Sequence, residues 1–227
     1  MVAADRMEFP GILRHATDVR PAALPIAWSR SARLGTHELV LAANGAGAQR
    51  AAAAMDAALP GFAADAIIST GFCGALAPEL AIADVVVGST ISAGSRTFPV
   101  LHPDCPRTHL TGVVCSIDHV AQTAAEKRQL HSAGGTVVEM EAAGVADRAA
   151  ARGTPLYCIR VVTDLAGEDM ANDFNGALQP DGRFATIKIL SNTLRSPRVR
   201  LPELIRLRNR CVRAARVLGD FIADCRF

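Results

Sequence analysis

Residues Val137–Ala143 read Val-Val-Glu-Met-Glu-Ala-Ala, and Ile159–Asp164 read Ile-Arg-Val-Val-Thr-Asp. Each begins as a β-branched run and reaches an acid within a few residues. The first passes directly into an alanine-rich stretch suited to a helix. Acids placed where strands give way to helices lie on the rim where α/β proteins bind ligands. Glu139 and Glu141 are two residues apart, so on a continuous strand they share a face, and where strand turns to helix they diverge. An ionised carboxylate only accepts hydrogen bonds, which suits it to a vicinal diol. It equally suits the positive end of a helix. Asp164, at a strand end, has its pKa raised by burial unless a cation such as Arg160 opposes it, and a protonated Asp can donate to a leaving group.

The same alternation runs outward along the chain. Strands are expected over Met1–Ala4, Glu38–Ala42, Ala66–Ser69, Asp84–Ser89, Gly112–Ser116, Thr136–Val138 and Leu156–Val162. Helices are expected over Pro10–His15, Ala48–Leu59, Ala121–His131, Glu141–Arg152 and Pro202–Asp224. The order implies an α/β architecture with a largely parallel sheet. Ser92–His109, with its prolines, reads as a loop region that includes a hairpin. Asp169–Gly182 reads as a polar loop covering the site, and Phe174 within it is a candidate substrate contact.

At 227 residues and half apolar, the chain fits one domain, residues 1–227, with a substantial core. The six cysteines form no Cys-x-x-Cys pair, so neither a disulfide framework nor a zinc site is expected, and the cysteines fit a reducing cytoplasm. No signal segment is recognisable, and no apolar run approaches bilayer length.

Charge is uneven: residues 183–227 carry eleven Lys and Arg against three acids, while residues 1–182 carry thirteen against nineteen. In this basic helical extension Leu204, Leu207, Cys211, Ala214, Leu218 and Phe221 recur at helical spacing, interleaved with Arg206, Arg208, Arg210, Arg213 and Arg216. Such a helix is either a packed surface helix with a solvated basic face or a peripheral contact with anionic lipid. No aromatic is interleaved with the arginines over residues 198–216, so nucleic acid is not an expected partner.

Two glycine turns follow strands: Asn44-Gly45-Ala46-Gly47, and Thr70-Gly71-Phe72-Cys73-Gly74. Both can bring backbone N–H groups against a ligand or anion. Gly71-x-Cys73-x-Ala75 also has the outline of a nucleophile elbow, which keeps a cysteine hydrolase open. Glu8, just past the first strand, is by itself an ordinary acid.

Taken together, VVEMEAAGVA, IRVVTDLAG, IISTGFCGALAPELAIADVVVGS, NGAGAQRAAAA and AADRMEFPGIL resemble the nucleoside phosphorylase superfamily, especially its methylthioadenosine/S-adenosylhomocysteine nucleosidase branch. That resemblance implies a three-layer α/β/α sandwich around a mixed, partly closed sheet and cleavage of an N-glycosidic bond with no cofactor. Glu8 would activate water. Met140 and Glu141 would hold the ribose, and Asp164 would serve the departing purine. The remaining candidate substrate-binding residues are Glu139, Thr163, Phe72, Cys73, Gly74, Val120, Phe174 and Arg160. Val120 stands near the place of the family's base-stacking Phe. Asp181-Gly182-Arg183 and LPELIRLRNRCVRAARVL are similar to the hopanoid-associated phosphorylase branch, which implies adenosylhopane as substrate. Relatives imply a homo-oligomer, compatible with an apolar helix over Ala142–Ala151. Phosphorolysis, with Arg50 and Arg96 holding the anion, and a non-catalytic nucleoside-binding module are the alternatives.

Overall fold

The computed structural model describes residues 1–227, apart from the side chains of Thr186 and Leu190. Ten strands form one sheet: β1 (Val2–Ala3), β2 (Thr17–Pro21), β3 (Trp28–Leu34), β4 (His37–Ala43), β5 (Ile67–Ala75), β6 (Val85–Ala93), β7 (Arg96–Pro99), β8 (Leu110–Ser116), β9 (Val137–Glu139) and β10 (Leu156–Asp164). The helices are α1 (Pro10–Leu13), α2 (Ala48–Ala58), α3 (Ala124–Ser132), α4 (Ala142–Arg152), α5 (Phe174–Ala177), α6 (Thr186–Arg195) and α7 (Pro197–Asp224).

The sheet runs β10-β6-β8-β9-β5-β1-β4-β3-β2, and β10 also pairs with β5. Five strands therefore close into a ring, β1, β4, β3 and β2 extend from β5 as an open wing, and β7 pairs with β6. The sheet is mixed rather than largely parallel. Antiparallel pairing enters through the β2–β3–β4 meander, the β6–β7 hairpin, and the β10–β6 and β5–β9 contacts. The turn and second strand of that hairpin fall inside the Ser92–His109 region, while its first strand begins earlier, at Val85.

β10 explains the layering. All nine of its residues are buried. Leu156, Cys158 and Val162 pack into one core with α2 and α4 through Ala51, Ala54, Val145 and Ala149. Tyr157, Ile159 and Val161 pack into another with Phe9, Ile12, Leu218 and Phe221 of the α1/α7 side. A period of two on a strand buried on both faces yields three layers. By the same parity Arg160 shares the face of Cys158 and Val162, and a bulge between Val162 and Asp164 then breaks the alternation, so that Thr163 and Asp164 both reach the cavity described below.

The C-terminal helix is tied to the body at very short range. A Cβ on Gly219 would overlap the backbone of Gly11 and Ile12, and one on Gly11 would overlap Ala215 O. The helix starts at Pro197, earlier than Pro202, because Pro197 occupies the first turn while Pro202 sits inside as a missing donor. β2, β3, α5 and α6 go beyond the expected elements. β2 is wholly exposed, and β3 reads Trp-Ser-Arg-Ser-Ala-Arg-Leu, so neither carries an apolar alternation.

Candidate active site

Strand register assembles the site. β10 and β5 pair so that Asp164 lies opposite Gly74, and β5 and β9 pair so that Gly74 lies opposite Val138. β9 ends at Glu139 beside Ser116 of β8, and Glu141 follows as the cap of α4. On the other flank of β5, β1 leads through Asp5 into the 3-10 turn Arg6–Glu8. These ends surround one cavity of about 350 Å³, large enough for a small-molecule ligand. Eleven of the twelve residues expected from sequence line it: Glu8, Phe72, Cys73, Gly74, Val120, Glu139, Met140, Glu141, Thr163, Asp164 and Phe174. Arg160 does not. Its side chain lies wholly buried beneath, donating to Glu139 Oε2 at 2.6 Å and to Ser69 Oγ at 2.6 Å.

Glu8 is fixed by two backbone donors. Its Oε2 accepts from Asp5 N at 2.8 Å, completing a capping box, and its Oε1 accepts from Phe72 N at 2.7 Å. Burial raises its pKa to about 7, against the opposing pull of those two N–H groups and Arg160. Gly71, at φ 140°, makes this approach feasible, since a Cβ there would overlap Glu8 Oε1.

Glu139 and Glu141 divide as a strand-to-helix turn requires. Glu139 accepts from the N–H groups of Glu141 and Ala142, each at 2.9 Å, and pairs with Arg160. It is thus largely committed to the start of α4. Glu141 Oε1 accepts from Gly47 N at 2.9 Å, so the Gly45–Gly47 turn serves to hold a carboxylate. Burial, and then the neighbouring Glu139, raise the Glu141 pKa. Gly182 O in turn accepts from Ala46 N at 2.7 Å, which fastens the Asp181–Arg183 turn over the glycine turn.

Asp164 is held by a residue that sequence reasoning missed. Lys127 of α3 is fully buried, and its Nζ donates to Asp164 Oδ1 and to Leu165 O. Burial still raises the Asp164 pKa, with Lys127 opposing it. In Ala-Ala-Glu-Lys-Arg-Gln, Lys127 looks like one more solvated charge, and only its tertiary setting distinguishes it. Arg160 did carry a signal, because a cation within an apolar strand needs a buried partner.

The loop over the cavity is anchored twice to α7. Glu203 accepts from the N–H groups of Ala171 (2.7 Å) and Asn172 (2.8 Å), and Arg210 grips Glu168 at 2.7 and 2.8 Å. Asn175 clasps Val120, donating to its carbonyl at 2.9 Å and accepting from its N–H at 2.8 Å. Gln122 Oε1 accepts from Phe174 N at 2.6 Å. The N–H and C=O of Val120, the residue near the place of the family's base-stacking Phe, are therefore occupied by a side-chain amide. Leu207 and Cys211, read from their spacing as packing residues of α7, also reach the cavity, as do His119, Met170, Phe184 and Ile189.

Two alternative chemistries fare differently from the three acids. Cys73 lies within β5, with no helix following, and burial holds its thiol well above the ordinary range, which deprives it of nucleophilic character. Arg50 donates to Pro180 O, and Arg96 pairs with Asp147. Neither lines the cavity. Among the described residues, no Lys or Arg lines it.

A family model for the phosphorylase superfamily matches residues 29–111 and 100–193. A 5′-methylthioadenosine/S-adenosylhomocysteine nucleosidase of Geobacillus thermodenitrificans is 26% identical over 190 residues, covering 70% of this chain and 80% of that protein. The Neisseria meningitidis 5′-methylthioadenosine/S-adenosylhomocysteine nucleosidase, solved with methylthio-immucillin-A, superposes with a TM-score of 0.71 at 21% identity. That match covers 98% of this chain and 95% of the other. Futalosine hydrolase of Helicobacter pylori superposes with a TM-score of 0.73 at 16% identity, covering 97% and 93%. At these identities the structural likeness concerns the fold, which is the mixed three-layer α/β/α arrangement described above.

Proposed function

Because the chain belongs to the phosphorylase superfamily, we propose that it hydrolyses the N-glycosidic bond of a 5′-substituted adenosine and releases adenine. The observation that carries this reading is the convergence of Glu8, Glu141 and Asp164 on one cavity that no Lys or Arg lines among the described residues. The relatives named as methylthioadenosine/S-adenosylhomocysteine nucleosidases support the reaction class.

The division of labour follows from the environments. Glycosidic cleavage builds positive charge on the sugar and negative charge on the base. Glu8, with a pKa of about 7, is poised to take a proton from water near neutral pH. Glu141, fixed by Gly47 N, accepts hydrogen bonds from the ribose hydroxyls, with Met140 alongside. Asp164, its pKa raised by burial, supplies a proton or hydrogen bond to the purine as it leaves. Thr163 donates to Cys73 O at 3.2 Å and steadies the strand end. No cofactor enters this scheme.

Water is favoured over phosphate on electrostatic grounds. Asp5, Glu8, Glu139, Glu141 and Asp164 line the cavity, and an anion there meets carboxylates without a lining cation. Adenine release measured with and without phosphate tests this. We expect equal rates, and strict phosphate dependence overturns hydrolysis.

The finer reading is a lipid-linked adenosine, adenosylhopane being the one implied by the Asp181–Arg183 and α7 resemblance. Phe174, Phe184, Ile189, Leu207 and Met170 give the cavity an apolar side, which fits a large hydrocarbon at the 5′ position better than a charged one. Comparing turnover of lipid-linked and methylthio-substituted adenosines decides the substituent.

A further inference from the structure

The exposed large apolar side chains are concentrated in one segment. Of eleven such residues among the described ones, seven fall between 184 and 212: Phe184, Ile187, Leu194, Val199, Leu201, Ile205 and Val212. Ile187 is 83% exposed and Leu194 76% exposed, seven residues apart on α6 and so on one face. On α7, Leu201, Ile205 and Val212 follow at helical spacing and form an outer stripe. The inner face, with Cys211, Ala214, Leu218 and Phe221, is already packed. α7 therefore has apolar residues on two sides, and one side faces outward.

Charge selects what covers this face. Residues 183–213 hold nine Lys and Arg against one acid, Glu203, whose carboxylate is buried and committed to Ala171 and Asn172. A second copy docking through a two-fold interface would set this cationic surface against itself. An anionic bilayer surface offers both hydrocarbon and negative charge.

The face is also continuous with the site. The site cavity shares Asp164, Met170, Phe174 and Leu207 with a second cavity of about 180 Å³. That one shares Arg206 and Arg210 with an open groove of about 660 Å³ along α7, lined by Ile82, Pro202 and Ile205. A succession of spaces thus leads from the acids to the arginine-bearing apolar face.

We propose that the outer face of α6 and the first half of α7 docks on an anionic lipid bilayer, with the groove along α7 turned toward the membrane. The inference does not require the hydrolytic reading, and its test separates the two. Flotation of the full chain is measured with vesicles of mixed phosphatidylglycerol and phosphatidylcholine, and with phosphatidylcholine alone. Binding is expected only to the mixed vesicles and is expected to weaken with salt. Arg198→Glu with Arg208→Glu should reduce partitioning by more than about tenfold, each basic residue near an anionic surface contributing about 1 kcal/mol. Ile187→Asp with Leu194→Asp should reduce it as well, while circular dichroism and adenine release from methylthioadenosine stay unchanged. Failure to bind mixed vesicles overturns the proposal. So does equal binding to both vesicle types, or a soluble dimer that these substitutions dissociate. Vesicle binding without any adenine release counts against the proposed function and leaves the docking inference standing.

Discussion

Lys127, buried to 0% exposure, donates through Nζ to Asp164 Oδ1, so the cation that sets the state of the candidate proton donor comes from a helix distant in sequence. Burial pushes the Asp164 pKa up and Lys127 holds it back. Asp164→Asn keeps the shape and removes the proton, and chemistry should slow by roughly 3–6 kcal/mol of barrier, with binding nearly retained. Lys127→Met should instead shift the alkaline limb of the pH–kcat profile upward, because an unopposed buried carboxyl holds its proton longer. Near-normal turnover in Asp164→Asn, or an unmoved limb in Lys127→Met, would remove Asp164 from the acid's role.

Glu8 must be ionised to accept a proton from water. With its pKa at about 7, kcat/KM should fall as pH drops below about 7, with an apparent pKa near that value in the free enzyme. Glu8→Gln should lose activity by at least about a hundredfold and should lack that limb. A pH–rate profile that keeps the acid limb in Glu8→Gln assigns it to another group.

The sequence made the acids legible because each is an exception to its setting. Asp164 and Glu141 sit at the ends of apolar runs, whereas the bulge between Val162 and Asp164 that turns Asp164 toward the cavity leaves no mark in the sequence pattern. Glu8 was different. Its position after β1 was weak evidence alone, and it gained meaning only from the family resemblance. Lys127 and Asn175 gave no local signal, since a Lys on a charged helix and an Asn in a polar loop are ordinary until tertiary contacts enclose them. The ring closure of the sheet was equally silent. The β10–β6 and β5–β9 pairings are antiparallel contacts between strands far apart in the chain, which periodicity does not encode.

Burial of the acids also makes folding take up protons. Glu8 rises from 4.5 to about 7, so its contribution is fully present below about 4.5 and is lost as pH rises through about 7. At about 1.4 kcal/mol per unit this amounts to about 3 kcal/mol. Glu168 works in the opposite sense. Arg210 holds its pKa down to about 2, so its contribution is present above 4.5 and is lost as pH falls toward about 2. Tm should therefore be highest near about pH 5 and decline toward about pH 8. Glu8→Gln should flatten that decline whatever its own effect on Tm. Calorimetry across this range gives the slope.

Gly219 lets α7 lie against α1 at backbone contact. A larger side chain there has no room, because its Cβ would overlap Gly11 and Ile12. Gly219→Val should destabilise the chain by at least about 2 kcal/mol through overpacking. Since α7 also anchors Ala171 and Asn172 through Glu203, the loop over the cavity should loosen with it. Urea unfolding followed by far-UV circular dichroism measures the first effect, and proteolytic cleavage within 165–185 under native conditions measures the second. Unchanged urea midpoints would show that the two helices can separate without cost.

Asn175 tests whether the loop or the bare backbone shapes the base side of the cavity. Its amide makes two hydrogen bonds to Val120, at 2.8 and 2.9 Å, and it sits beside Phe174, which lines the cavity. Two such bonds together contribute about 1–3 kcal/mol. If the clasp holds Phe174 over bound substrate, Asn175→Ala should raise KM by about tenfold or more and leave kcat nearly unchanged, because the three acids are untouched. If the amide instead blocks groups that the base needs, the same substitution should lower KM. Steady-state kinetics on methylthioadenosine distinguish the two. We expect the rise, because the amide joins the Phe174 turn to Val120, which also lines the cavity, a link that the bond from Phe174 N to Gln122 Oε1 does not replace.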